Sequence, residues 1–300
     1  MIDTSIIIPS LDSPWIGRTL AGLASEGAPG DGAEVIVVGR DAPGQIPRDD
    51  SVRFLETPTP LNPAAARNLG VAEATGDRLL FIDADCRPLA GWLERHRRRL
   101  GVDRPVIGGA VAFPVQGSRW ALADNIASFH ELLADRPEDD DTDLPIGSLN
   151  LAVTRDAWRR VGPFDEALTT SEDFDWILRC RRAGLPTAFD PAAVVEHGAV
   201  RQTRDDLIRH ATWYGGQFHD FAARHPGHFG SGITWRDRRL LAATAPLKAV
   251  TSTLGIFLRH RTVWNAWRAF PGVVAFKRAW YRAVLQCWPE RDSSPSSSSS

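Results

Sequence analysis

The sequence is poor in cysteine. It has three, Cys86, Cys180 and Cys287, in a chain of 300 residues. The number is odd, and no two are spaced as Cys-x-x-Cys. This argues against a disulfide framework and a zinc site, and fits a reducing compartment. No Gly-x-Gly-x-x-Gly bridges a strand and a helix, so the dinucleotide-binding turn of an oxidoreductase is missing. The opening MIDTSIIIPS has no basic n-region and only a short apolar run. It is expected to be a first strand rather than a signal peptide. RNA-binding motifs are absent and the net charge is only −2, so no nucleic-acid partner is expected.

What is present is ordinary for a globular chain: 43% apolar and 24% charged residues. The length suits one large or two small domains. Charge is unevenly placed. Residues 1–200 carry 20 Lys and Arg against 31 Asp and Glu, a net −11, whereas residues 201–300 carry 15 against 6, a net +9. Two regions with different neighbours are implied.

Short β-branched runs alternate with helical patterns. SIIIP (5–9), EVIVV (34–38), 52–55 and 78–82 read as strands. Residues 14–25, with Ile16, Leu20 and Leu23 at helical spacing, and 64–74 read as helices. Further strands are expected at 105–113, 147–153 and either 187–190 or 194–196. Further helices are expected at 119–134, at 155–161, after Ser171 as N-cap, and through most of the chain beyond 201. The acidic stretch DRPEDDDTD (135–143) reads as a mobile, solvated loop. This alternation implies right-handed βαβ units and a mostly parallel sheet. Ligands of such sheets bind beyond the carboxyl ends of the strands. Residues 9–12, 39–41 and 83–85 fall at ends of that kind.

Residues 81–86 read FIDADC. Asp83 and Asp85, two apart, would point to one side of a strand, with Ala84 turned away. Acids at a strand end can simply cap a turn. They can also hold a divalent cation, which prefers hard oxygen ligands.

The ordered motifs SIIIPS, EVIVV, AAARNLGVAEATGD, FIDADC, VGPFDE and SEDFDWILRCRRAG resemble those of family 2 glycosyltransferases with the GT-A fold. The resemblance covers roughly residues 4–200. It implies an α/β, Rossmann-like, mostly parallel sheet flanked by helices. It also implies transfer of a sugar from a nucleotide-diphosphate donor to a hydroxyl of a saccharide or lipid-linked acceptor, with inversion. Mg²⁺ or Mn²⁺ would neutralise the leaving diphosphate. By the same resemblance Asp85 is a metal ligand, Asp83 touches the ribose or the metal shell, and His197 supplies a third ligand or a diphosphate contact. Asp173, in the Glu172-Asp173 pair, is the base, with Asp175 as competitor. Pro9, Ser10, Asp12, Asp41, Arg67, Asn68, Asp83 and Ala84 make up the donor site, where Arg67 could pair with a phosphate.

Two departures leave the nucleotide open. Ser10-Leu11-Asp12 replaces the usual Thr-Tyr-Asn, which removes an aromatic partner for the base. Gly39-Arg40-Asp41 replaces the usual acidic turn, so Asp41 would have to act from a shifted position. A non-catalytic sugar-nucleotide-binding relative and a sugar nucleotidyltransferase are the alternatives. The nucleotidyltransferase would need a glycine-rich basic loop after the first strand, and SIIIPSLDSPW has none.

The expected domains are a catalytic unit over 1–205, a helical, basic, Trp-rich extension over 206–290, and a disordered Ser-rich tail over 291–300. Leu240–Leu258 is long and apolar, but Pro246, Lys248 and several threonines make it a poor spanning helix. Basic residues and tryptophans around it suit the headgroup layer of an anionic membrane, while the same aromatics could equally pack on the catalytic unit. The expected location is cytoplasmic, with peripheral attachment to the inner face of the cell membrane as the further possibility.

Overall fold

The computed structural model describes residues 2–226 and 237–289. The Ser-rich tail, and residues 227–236 and 290 of the expected helical extension, lie outside the described residues. Eight strands form one sheet: β1 (Thr4–Leu11), β2 (Ala33–Arg40), β3 (Arg53–Glu56), β4 (Arg78–Ile82), β5 (Cys86–Pro88), β6 (Val106–Ala112), β7 (Asn150–Thr154) and β8 (Thr187–His197). Their order is β3-β2-β1-β4-β7-β6-β8-β5. The β3-β2-β1-β4 half is parallel, as the βαβ pattern requires. β7 runs antiparallel to both β4 and β6, and β6 pairs parallel with β8. Ile6, Ile7, Ile8, Val37, Leu79, Leu80 and Phe81 are fully buried, which fits a sheet covered on both faces.

Helices α1 (Ile16–Ser25), α2 (Pro63–Glu73), α3 (Trp92–Arg99), α4 (Arg119–Phe129), α5 (Arg155–Val161) and α6 (Glu172–Arg182) connect these strands. Asn62 caps α2 through Ala65 N, and Pro63 occupies its first turn. β5 and α3 were not foreseen. A three-residue strand and a helix reading WLERHRRR, with few apolar positions, give weak periodic signals. The two strands expected as alternatives at 187–190 and 194–196 are one strand, β8, with a register shift opposite Gly109/Ala110. The helix expected over 119–134 stops at Phe129 and continues as a 3₁₀ turn over 130–132.

The acidic stretch 135–143 is not a free loop. Asp139 exchanges backbone hydrogen bonds with Phe189, and Thr142 N donates to Thr187 O. Arg136 is buried over the Phe189 ring at 3.9 Å and donates to Thr142 Oγ1 and Pro145 O. Arg95, Arg99 and Arg104 pair with Glu138 and Asp140. The acids look solvated in sequence because their arginine partners lie about 40 residues away.

Beyond β8 come α7 (Arg204–Gly216), α8 (Phe218–Arg224), α9 (Arg238–Arg259), a 3₁₀ segment (Arg261–Ala269) and α10 (Phe270–Gln286). They build a second core, separate from that of the sheet. Leu207, Ala211, Ile256, Phe257, Val263, Val273 and Phe276 pack there with Leu122, Ala123 and Ile126 of α4. The helical extension therefore docks on the sheet-bearing unit through α4. Gly272 lies so close to α4 that a Cβ would sit 2.6 Å from Ala123 Cβ.

Candidate active site

The carboxyl ends of β1, β2 and β4 open onto a cavity of about 360 Å³. Pro9, Ser10, Gly39, Arg67, Asp83, Ala84 and Asp85 line it, as does Trp15, which sequence reasoning did not single out. Gly39 is required here. Its φ is +135°, and a Cβ would meet Ser10 O at 2.0 Å. Ser10 Oγ is buried and has no hydrogen-bond partner among the described residues. A buried hydroxyl without a partner is costly, so this atom suits a ligand polar group.

Asp83 and Asp85 are half-buried and Ala84 is turned in. They are not on a strand, because β4 ends at Ile82. Cys86 N donates to Asp83 O, which closes a turn leading into β5. β5 pairs with β8 and sets Cys86 opposite His197. His197 Nδ1 donates to Gly198 O at 2.8 Å, so its Nε2 faces Asp85 Oδ2 at 3.5 Å. Cys86 completes a group of potential ligand atoms within 4.8 Å of one another. Burial pushes the Cys86 thiol well up, and the two nearby aspartates add to it.

Arg67 is buried and bridges two motifs. Nη2 donates to Asp83 Oδ1 at 2.7 Å and Nη1 to Glu172 Oε1 at 2.6 Å. Burial opposes its charge, but Asp83, Glu172 and Asp173 more than offset this and raise its pKa. Both terminal nitrogens are thus occupied by carboxylates. The arginine expected to pair with a phosphate instead joins the end of β4 to the start of α6.

Asn68 does not line the cavity. Its Oδ1 accepts from Phe164 N, and its Nδ2 donates to Phe164 O and Glu166 Oε1. It fastens α2 to the VGPFDE turn. Phe164 then packs edge-on to Phe81 and against Trp158 and Trp176. This aromatic cluster fixes α6 on the sheet.

Ser171 sits at the N-cap position of α6 but makes no side-chain cap. Its φ is +61°, a strained value for a residue other than glycine. Asp173 is half-buried. Its Oδ2 accepts from Ser148 N and Oγ, and its Oδ1 from Phe174 N. Asp175 is buried and committed elsewhere, to Arg179 at 2.8 Å and His225 at 3.0 Å. Ser148 was not foreseen. Tyr214 of α7 was also missed. It lies in the field of Asp173 and Glu172, and burial raises its pKa.

Asp12 and Asp41 stand outside the first cavity, on an adjoining one with Arg40 and Glu56. Asp12 Oδ1 accepts from Ala42 N. Asp41 accepts from Gln45 N and Ile46 N with its two oxygens. The Asp41 carboxylate is therefore turned into its own loop and does not line the first cavity.

The profile of Glycosyl transferase family 2 matches residues 5–156, about half of the chain. The chain belongs to glycosyltransferase family 2. A second profile, Glycosyl transferase family group 2, matches residues 143–281, which includes most of the helical extension. The pre-mycofactocin glycosyltransferase of Mycobacterium tuberculosis is 31% identical over 212 residues, covering 65% of this chain and 43% of that protein. Glycosyltransferase AglE of Haloferax volcanii is 30% identical over 197 residues, covering 62% of this chain and 63% of that protein. The chain thus matches only part of each relative's length. The fold resembles that of a mannosyltransferase from Pyrobaculum calidifontis solved with GDP-Man and Mn²⁺, with TM-score 0.54 and 19% identity over 92% of this chain and 87% of that one. The chain's fold is of the GT-A type.

Proposed function

We propose that this family 2 glycosyltransferase moves a sugar from a nucleotide-diphosphate donor to a hydroxyl of a saccharide or lipid-linked acceptor, with inversion and with metal assistance. One observation carries the reading. Arg67 ties Asp83, on the donor-side cavity, to Glu172, the residue beside Asp173. The cavity for a leaving diphosphate and a carboxylate able to take a proton are thereby held in one rigid unit.

Asp173 is the base in this proposal. Its carboxylate takes the proton of the acceptor hydroxyl as that oxygen attacks the anomeric carbon, and the bond to the donor diphosphate breaks on the opposite side. Ser148 and the Phe174 amide hold the carboxylate in one orientation. Asp85 and His197 fit a hard or borderline divalent ion. They offer an oxygen and an imidazole nitrogen 3.5 Å apart, with the tautomer set by the Gly198 carbonyl. When bound, Mg²⁺ or Mn²⁺ supplies positive charge beside the leaving diphosphate. Ser10 Oγ, Ala84 and Pro9 bind the nucleotide end in this reading, with Trp15 along the wall. The basic helical extension, within the +9 stretch of residues 201–300, meets an anionic membrane peripherally, from the cytoplasmic side.

A panel of nucleotide-diphosphate sugars tests the reading. One of them should raise the Tm only when Mg²⁺ or Mn²⁺ is present, and Asp85→Ala should abolish that rise. The product made from the matching donor should have the inverted anomeric configuration by NMR. Full turnover in excess chelator, or retained configuration, would overturn it.

A further inference from the structure

α9 carries an apolar ridge that no part of the described chain covers. Leu247 is 67% exposed, Val250 42%, Leu254 41% and Leu258 64%. At about 100° per residue these four fall on one side of the helix. Trp264, in the segment that follows, is 50% exposed. The opposite side of α9, with Ala245, Ala249, Thr253 and Phe257, is buried in the second core. α9 is long and apolar enough to cross a membrane by length and composition. Packed on one side against α10 and the α4 core, it turns the ridge outward, with Pro246, Thr251 and Arg259 exposed beside it.

Between the ridge and the buried side lies a cavity of about 470 Å³. Lys248, Thr251, Ser252 and Arg259 of α9 line it, with Lys277 and Tyr281 of α10 opposite. The two lysines are the chain's only ones, and none of the lining residues is acidic. Burial lowers the Lys277 pKa, with exposed Glu131 opposing. A cationic group losing solvent in this way is stabilised by a bound anion. Apolar side chains beside a basic hollow match the boundary between acyl chains and charged headgroups.

We propose that the α9–α10 cavity binds the phosphate of an anionic phospholipid while the Leu247–Leu258 ridge enters the acyl layer. The inference rests on the peripheral membrane reading above and deepens it, because it specifies where the headgroup sits. Charge complementarity favours this occupant. A second copy of the chain would bring the same positive charge against the cavity.

Flotation of the full chain with vesicles decides between the possibilities. Vesicles of phosphatidylcholine with phosphatidylglycerol should carry it up the gradient, and phosphatidylcholine alone should carry little. The double variant Lys277→Gln, Arg259→Gln should lose about tenfold or more in vesicle affinity, since each basic group near the surface contributes roughly a factor of five. Leu254→Ser with Leu258→Ser should lose as much. Circular dichroism and Tm check that each variant folds. Wild-type chain that never floats would end the membrane reading and this inference with it. Wild-type chain that floats equally well with the Lys277/Arg259 variant would end the cavity assignment alone. Stabilisation by inorganic phosphate together with undiminished flotation of the ridge variant would make the cavity a free-phosphate site and overturn the lipid assignment. So would a dimer, by light scattering, that the ridge variant dissolves.

Discussion

Arg67 reaches Glu172 at 2.6 Å, and that contact changes the meaning of the Glu172-Asp173 pair. Glu172 is buried and faces inward to the arginine, whereas Asp173 is half-buried and held by Ser148. Two adjacent acids therefore have different duties. One locks α6 to the cavity, and the other is the carboxylate proposed above as the base.

This division leads to opposite expectations for the two acids. Asp173→Asn keeps the size of the side chain and an oxygen for the Ser148 amide, but removes proton uptake. Donor affinity should be unchanged while kcat falls by about 10²-fold or more. Isothermal titration with the donor and steady-state kinetics check both halves. A variant with near-normal kcat would remove Asp173 from the role, and the committed partners of Asp175 make it a poor replacement.

Arg67 gives a stability prediction. Arg67→Ala strands Asp83 and Glu172 against each other in a largely buried site. The cost should be about 3–5 kcal/mol, the range for breaking a buried ion pair from one side. Arg67→Lys should recover only part of it, because one ammonium does not reproduce the forked contact with two carboxylates. Urea unfolding measures both. Unchanged stability with weakened donor binding would instead return Arg67 to the role of a phosphate clamp.

Much of the sheet was legible because buried parallel strands are written locally, as SIIIP, EVIVV and RLLFI. Asp83, Asp85, Glu172 and Asp173 could be picked out as candidates too, since they stand in motifs of fixed order. What those motifs do to one another was not legible. Arg67 and Glu172 are 105 residues apart, and Asn68 and Phe164 are 96. Only tertiary packing shows that Arg67 bridges two acids and that Asn68 is a fastener. Asp41 looked like a shifted nucleotide contact because its own loop's amides, at Gln45 and Ile46, carry no sequence signal. The stretch 135–143 was misread for the same reason, its arginine partners lying in and just after α3.

A buried histidine supplies the last prediction. His96 of α3 meets Asn150 Oδ1 at 2.9 Å, and the same oxygen accepts from Trp92 Nε1 at 2.8 Å. Asn150 Nδ2 donates to Ala110 O and Ala193 O, so this asparagine joins α3, β6, β7 and β8. Burial lowers the His96 pKa to about 4, and the histidine is neutral at pH 7. Unfolding restores an ordinary value near 6.5. Between about pH 6.5 and 4 the unfolded chain therefore binds more protons than the folded one, so stability rises with pH in that window. The contribution is fully present above about 6.5 and is lost as pH falls toward 4, with a slope of at most about 1.4 kcal/mol per pH unit. Urea midpoints taken across this range should fall with acidification. His96→Gln keeps an amide N–H for Asn150 but cannot titrate, and its midpoints should fall less steeply than those of the wild type. Carboxylates held below their usual range, such as Asp190 and Asp135, add their own acid sensitivity mainly below pH 4. Equal slopes for the two proteins between pH 6.5 and 4.5 would show that His96 is not the titrating group.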